Sequence, residues 1–359
     1  MNSNIIHIIS ASTYHLTPNL ITNLIQKVPF NHFFFVIGKK NKPINWNLYS
    51  DLFEQLNYSN YMFSNSLDDV KKIKGINSNS FIILHGDSYK RMLFFYFRQY
   101  KNYHWICWGS GTKINRSLKS IISSLLKSKV YKKFRSIIAL TETDKIELQN
   151  NFRLSKIYTI PYLGSLHNME QFKKVNLSQD KTQNNVIYIG NNYSCINTYS
   201  EIVHKLKKIA SIVDVRCMLN YDLNKDETFK NLDKDGKAFF GNKFKMNTEF
   251  YDLKDYPDYM DVCDIYICNA DRQTGLAAIY ITLALGKKLF LRGNNYDFIK
   301  SIGCNIYHID DIDRLSAEEF LAPLPIQVKE KNFDLIMDYL DESKTIKKWS
   351  VFFKENLEI

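Results

Sequence analysis

The sequence lacks the marks of several large protein classes. No window of 18 residues is apolar without charge, so no membrane-spanning helix is expected. The start, Met1-Asn2-Ser3-Asn4, has neither a basic region nor a small-residue cleavage site, so no secretion signal is expected there. Six cysteines stand at 107, 195, 217, 263, 268 and 304, none in C-x-x-C spacing, which points to reduced, buried thiols rather than disulfides. No His/Cys/carboxylate spacing resembles a zinc site. The first strand of neither half runs into G-x-G-x-x-G, and there is no Walker A run, which takes most support from dehydrogenase and P-loop classes. No Ser-centred elbow is present either.

What is present is a globular composition. Hydrophobic residues make up 45% and charged residues 24% of 359, and 24 Phe and 23 Tyr can fill a large core. That length favours two domains, because single cores stop growing at about 250–300 residues. Lys and Arg number 48 against 37 Asp and Glu, a net charge of +11, which suits a polyanionic partner.

Apolar runs of strand length alternate with amphipathic helical stretches, the pattern of an α/β chain with mostly parallel sheets. Strands are expected at Ile5–Ile9, Phe33–Ile37, Phe81–His85, His104–Trp108, Ser136–Leu140 and Ile157–Ile160, with helices near 17–28, 89–100, 114–134 and 142–151. Thr141 is a good N-cap, with Glu142 and Asp144 in the first turn. A polar stretch at 166–184 reads as a linker between a Rossmann-like domain at 1–165 and a second at 185–340. In the second domain strands are expected at Val186–Ile189, Val213–Leu219, Asp264–Asn269, Lys288–Leu291 and Ile306–Ile309, with helices at about 198–210 and 275–285. Residues 341–359 read as a terminal helix with Trp349, Phe352 and Phe353 on one stripe, packing back on the first domain.

Chemistry is expected where strands end, because open α/β sheets bind ligands beyond their carboxyl edges. The richest stretch runs from Cys263-Asp264 to Arg272-Gln273-Thr274-Gly275, where a strand gives way to a helix. A helix N-terminus suits phosphate, and Arg272 can add a bidentate contact. Gly190-Asn191-Asn192 ends the first strand of the second half, Asn197 is a candidate cap and Tyr221 ends a neighbouring strand. In the first half His85-Gly86-Asp87 and Trp108-Gly109-Ser110-Gly111 end strands, and Asp87 or His85 is placed to act as a base. His7 sits inside a strand as a core histidine would, while His15 lies in the loop after it. Asp311-x-Asp313 reads as helix capping rather than metal binding. The stretch 113–135 carries eight Lys and Arg and no acidic residue, with an apolar face at helical spacing, which suits an anionic leaflet. Nucleic acid is a weaker fit to the charge, because the basic residues cluster on one helix rather than interleaving with aromatics.

These segments resemble the bacterial TDP-N-acetylfucosamine:lipid II N-acetylfucosaminyltransferases, glycosyltransferase family 56. The family's C-D-x-x-Y/F-x-x-x-R-Q-x-G-x-G segment is matched by Cys263-Asp264 through Arg272-Gln273-Thr274-Gly275, with Ala277 at the second glycine. Tyr256, Met260, Gly286 and Asn295 fall at the family's spacing, as do Gly190, Asn191 and Asn197 for its G-N motif. His85-Gly86 and Trp108-Gly109 resemble its H-G-Q and W-G-A-D segments, with Asp87 in place of the glutamine and Gly111 in place of the acid. Tyr199 stands where the G-N motif closes on histidine.

The resemblance implies a GT-B fold, two Rossmann-like domains facing a cleft. It implies metal-independent, inverting transfer of a 4-acetamido-4,6-dideoxyhexose from a dTDP-sugar to an undecaprenyl-diphosphate-linked saccharide, at the cytoplasmic face of the bacterial inner membrane. Donor contacts are then expected from Gly190, Asn191, Tyr221, Arg272, Gln273, Thr274, Gly275 and Asn295, with Asp87 first and His15 second as the base. No cofactor or metal is expected. A catalytically inactive sugar-nucleotide-binding scaffold is the alternative.

Overall fold

The computed structural model describes residues 4–38, 46–98, 100–112, 118–162, 164, 172–174, 177, 184–219, 225–249, 251 and 255–357, and of 15 and 118–123 only the backbone. The chain divides into two compact units, Met1–Ser165 with Asp341–Ile359, and Leu166–Leu340. Each is built on one parallel sheet with helices on both faces.

The first unit holds strands β1 Ile5–Ser10, β2 His32–Ile37, β3 Tyr61–Ser64, β4 Phe81–His85, β5 Tyr103–Cys107, β6 Ser136–Ala139 and β7 Ile157–Thr159, in the order β3-β2-β1-β4-β5-β6-β7. Its helices are α1 Pro18–Lys27, α2 Trp46–Gln55, α3 Tyr89–Tyr96, α4 Leu118–Tyr131 and α5 Glu142–Phe152. Strand alternation sorts the side chains to two cores. Ile5 and Ile9 meet α1 and α2 on one face, whereas Ile6 and Ile8 belong to the core of α3, α4 and α5 on the other. Thr141 caps α5, its hydroxyl accepting the Asp144 N–H at 3.1 Å.

The second unit holds β8 Val186–Ile189, β9 Asp214–Met218, β10 Phe244–Asn247, β11 Ile265–Cys268, β12 Lys288–Leu291 and β13 Tyr307–His308, in the order β10-β9-β8-β11-β12-β13. The helices used below are α6 Tyr199–Leu206, α7 Glu227–Phe240, α8 Tyr256–Asp261, α9 Leu276–Ala284 and α10 Gly293–Ile302. Helix α9 is apolar all round and buried through most of its length, as a helix at the centre of an α/β layer must be.

The chain then returns to the first unit with the helix Glu342–Leu357, whose Trp349, Phe352 and Phe353 are fully buried against β1, β2, β4 and α1. Five elements without a clear sequence signal appear in the structure: α2 and β3 in the first unit, α7, β10 and α10 in the second. Among the described residues no helix is long and apolar enough to cross a membrane.

Candidate functional site

In both sheets the strand order reverses once, between β1 and β4 and between β8 and β11. At such a point adjacent strands send their chains to opposite sides, which opens a crevice beyond the carboxyl edge. The residues picked out by sequence gather at these two crevices, one in each unit.

In the second unit Gly190–Asn192 leaves β8 and Asn269–Gly275 leaves β11. The two turns interlock. Gly275 has φ +67°, and a Cβ there would lie 2.8 Å from the Asn191 side chain. Gly190 has φ +70°, and the space beside it is filled by the Tyr199 ring, 1.8 Å from where a Cβ would sit. The Tyr199 hydroxyl accepts the Asn191 and Asn192 N–H groups at 2.9 and 3.2 Å and donates to the Asn192 carbonyl at 2.7 Å. Gly190 therefore makes room for Tyr199, and Tyr199 at the first position of α6 fixes the turn. Asn197 does not cap that helix, since the N-cap position is Thr198 and no side chain bonds there.

Asn295 is fully buried, and both ends of its amide are used within the chain. Its Oδ1 accepts the Thr274 N–H at 3.4 Å, and its Nδ2 donates to the Thr274 carbonyl at 2.8 Å. This corrects the expectation of a direct donor contact, because Asn295 is spent on bracing the turn. Thr274 Oγ1 in turn accepts from the amides of Asn191 and Asn192 at 3.5 and 3.2 Å. Asp264 is a brace as well, its carboxylate accepting the Val186 N–H at 3.0 Å.

The groups left for a ligand are different ones. Asn191 and Gln273 are at least nine-tenths buried, and Asn191 Oδ1 and Gln273 Oε1 have no hydrogen-bond partner. A buried amide without a partner costs free energy that only a ligand or water recovers. They sit at the N-terminus of α9, which has no side-chain cap and no acidic residue in its first turn. Arg272 stands beside them on the same turn, its Nη2 donating to Ser194 Oγ at 2.9 Å. Tyr221 lies outside the described residues.

Two acidic residues that the sequence did not single out complete this edge. Glu201 accepts from Arg292 at 3.2 and 3.3 Å and from Asn269 Nδ2 at 2.9 Å, and Arg292 also pairs with Asp310 at 3.3 Å. Buried Asn269 ending β11 and Arg292 opening α10 were the available signals.

The first unit's crevice has another chemistry. Asp87 follows β4 and holds the loop after β5: Oδ1 accepts the Trp108 N–H at 3.0 Å, and Oδ2 accepts the Ser110 N–H, the Ser110 hydroxyl and the Gly111 N–H at 2.9, 2.6 and 3.1 Å. A carboxylate so engaged is a loop anchor, which corrects its assignment as the base. The two departures at 87 and 111 are therefore neighbours in space. Gly111 also leaves no room for a side chain, since a Cβ would lie 2.7 Å from Trp105.

His85 is buried too and is not poised as a base. Its Nδ1 is 3.1 Å from the Tyr162 hydroxyl, its Nε2 is 3.0 Å from His7 Nδ1, and His7 Nε2 is 2.9 Å from His32 Nδ1. Burial pushes His85 down to about 3 and His32 to about 4, the latter opposed by the Val28 carbonyl. Burial, with His32 and His85 beside it, holds His7 well below its ordinary value. The chain is thus three neutral imidazoles in series. Each ring-to-ring contact pairs one donor nitrogen with one acceptor nitrogen, and His32 Nε2, at the end of the file, has no hydrogen-bond partner. His7 is a core histidine, as its place in a strand suggested. His15 lies in the short 3₁₀ turn Ala11–Leu16 that follows β1.

No protein-family model and no curated protein matches the sequence. Solved structures do match in fold. A glycosyltransferase from Rickettsia africae is 13% identical with a TM-score of 0.66, covering 99% of both chains. Anabaena HepE, solved with UDP and glucose, is 10% identical with a TM-score of 0.67 over 98% of this chain and all of its own. The pneumococcal O-GlcNAc transferase GtfA, solved with UDP and GlcNAc, is 10% identical with a TM-score of 0.62 over the whole of both chains. Two parallel-sheet, Rossmann-like units matched over whole chains to these proteins give this protein the GT-B fold of glycosyltransferases.

Proposed function

We propose that this protein is a nucleotide-sugar-dependent glycosyltransferase. The observation that carries this is the crevice between β8 and β11, where Arg272, the unpartnered buried amides of Asn191 and Gln273 and the uncapped N-terminus of α9 converge. Amide oxygens without partners call for ligand donors such as hydroxyl or ring N–H groups, and the helix N-terminus with Arg272 suits a diphosphate. The acceptor hydroxyl attacks the anomeric carbon, gives its proton to a base, and the nucleoside diphosphate departs. Arg272 and the α9 N-terminus stabilise the charge that builds on the leaving group without a metal ion. His15 is the base, with inversion at the anomeric carbon.

The motif resemblance supports a finer form of the proposal. The donor is a dTDP-linked 4-acetamido-4,6-dideoxyhexose, the acceptor an undecaprenyl-diphosphate-linked saccharide, and the basic stretch 113–135 holds the protein to an anionic membrane surface. Residues 113–117 of that stretch lie outside the described residues; in its later part Leu125 and Leu126 are exposed beside Lys127 and Lys129.

The test is calorimetric titration of the protein with dTDP, UDP, GDP and ADP, with and without EDTA. Preferred dTDP binding that survives EDTA is expected, and Arg272→Ala should weaken it by about 1.5–3 kcal/mol, the scale of a charged hydrogen bond. Preference for UDP would move the donor class and keep the transferase. A folded sample that binds none of the four removes the proposal. With a donor in hand, His15→Gln should lose turnover and keep nucleotide affinity; turnover near wild type rejects His15 as the base.

A further inference from the structure

The first unit carries a cation that its own side chains do not neutralise. Arg91 lies in the first turn of α3, just past the carboxyl end of β4. Its Nη1 is buried and has no hydrogen-bond partner. Asp87 is the nearby carboxylate that favours the charge, yet the two make no ion pair, because the Asp87 oxygens hold the loop at 108–111. The positive charge of Arg91 is felt by His85 at the end of β4 and by Tyr49, whose hydroxyl touches Thr17 and the Ser10 carbonyl at the end of β1. The guanidinium is therefore at the β1/β4 reversal, the ligand-binding position of this sheet.

The local sequence adds positive charge where a helix already supplies it. Ser88 makes no side-chain cap on α3, and no acidic residue stands in its first turn, which instead carries Lys90 and Arg91. Cations at a helix N-terminus oppose the macrodipole. Residues 88–141 hold 12 of the 48 Lys and Arg and none of the 37 Asp and Glu, so the other residues, with 36 basic against 37 acidic, are almost neutral. The net charge of the protein is that of this one segment.

We propose that Arg91, with the N-terminus of α3, is an anion-binding site for the second substrate, taking a phosphoryl or carboxylate oxyanion. A guanidinium fork matches either group bidentately. Only the word substrate rests on the transferase proposal; the anion site does not.

The test uses the full chain with Arg272→Ala throughout, so that the other crevice does not compete. Inorganic pyrophosphate and acetate are titrated as separate arms. Binding should fall by at least about tenfold on adding Arg91→Met, the loss of a charged hydrogen bond. The melting temperature without anion should hold or rise in that variant, because a buried unpaired charge has been removed. Tighter pyrophosphate assigns a phosphoryl group, and tighter acetate a carboxylate. Neither anion binding, or affinity unchanged by Arg91→Met, overturns the proposal. If Arg91→Met does not fold, Arg91→Lys replaces it: a loss of about threefold or more supports the fork, and unchanged affinity overturns it. Anion binding that depends on Arg91 in a protein whose Arg272 crevice takes no nucleotide would end the transferase proposal and leave this one intact.

Discussion

The two units share one sheet plan and solve its reversal point with opposite materials. Between β8 and β11 the turns are locked by uncharged groups: Tyr199 fills the space at Gly190, Asn191 packs on Gly275, and Asn295 clamps Thr274. Between β1 and β4 the lock is a carboxylate, Asp87, backed by a file of buried imidazoles and an unpaired guanidinium. The first arrangement is a rigid cradle with a few open amides. The second holds imidazoles that burial keeps neutral. The same fold thus separates a site shaped by packing from one shaped by charge.

Acid should separate the units most. His7, His32, His85 and His104 are buried, and burial lowers all four, His32 to about 4 and His104 to about 3. In the unfolded chain they protonate near their ordinary pKa, about 6.5. The unfolded state therefore binds more protons as pH falls from about 7 towards 4, and stability falls with it, by roughly 2 kcal/mol per imidazole between pH 7 and 5. Among the described residues the second unit has no buried histidine. All four tryptophans, at 46, 105, 108 and 349, lie in the first unit, so their fluorescence in urea reports it alone. A tryptophan midpoint that does not move between pH 7 and 5 would break the comparison.

Phe353→Ala is expected to cost about 3–5 kcal/mol, the scale for a buried aromatic, in the tryptophan transition only. An equal shift in nucleotide-protected unfolding of the second unit would mean that the terminal helix serves both. Gly190→Ala should do the reverse. The new methyl must displace Tyr199 at a left-handed backbone, costing about 3 kcal/mol, and tryptophan-detected unfolding should not change. The smallest effect is that of Asp87→Asn, about 1–3 kcal/mol in the first unit. An amide turned towards three N–H groups keeps one acceptor where the carboxylate had two. An unchanged tryptophan midpoint would show that the carboxylate is not what holds the loop.

The sequence made the buried strands legible because parallel strands covered on both faces read as apolar runs, as in Ile5–Ser10 and Val186–Ile189. The sheet edges were not legible. β3 and β10 are four-residue edge strands, and Phe-Lys-Met-Asn carries no clear pattern. Helix α7 hides its stripe of Leu232, Gly236 and Phe240 among charges, and α10 opens on Gly-Asn-Asn, which reads as a turn. The strand-end turns were found because the carboxyl edge is where ligands bind, but which residues brace and which remain open needed contacts. The imidazole file needed register. His7 pairs with Phe34 and Ile83, so His32 and His85 are diagonal neighbours two places off, on the same face. Arg91 had a signal that went unread, a basic pair at the start of a helix with no acid to balance it.

The helix Glu342–Leu357 has a consequence for how the protein is made. The ribosome delivers β1 to β7 before the second unit, yet Trp349, Phe352 and Phe353, which close one of their faces, come only after it. The second unit is contiguous and has every residue it needs before residue 341 is added. The unit begun before the other is thus completed after it, and its apolar face stays uncovered while the second unit closes.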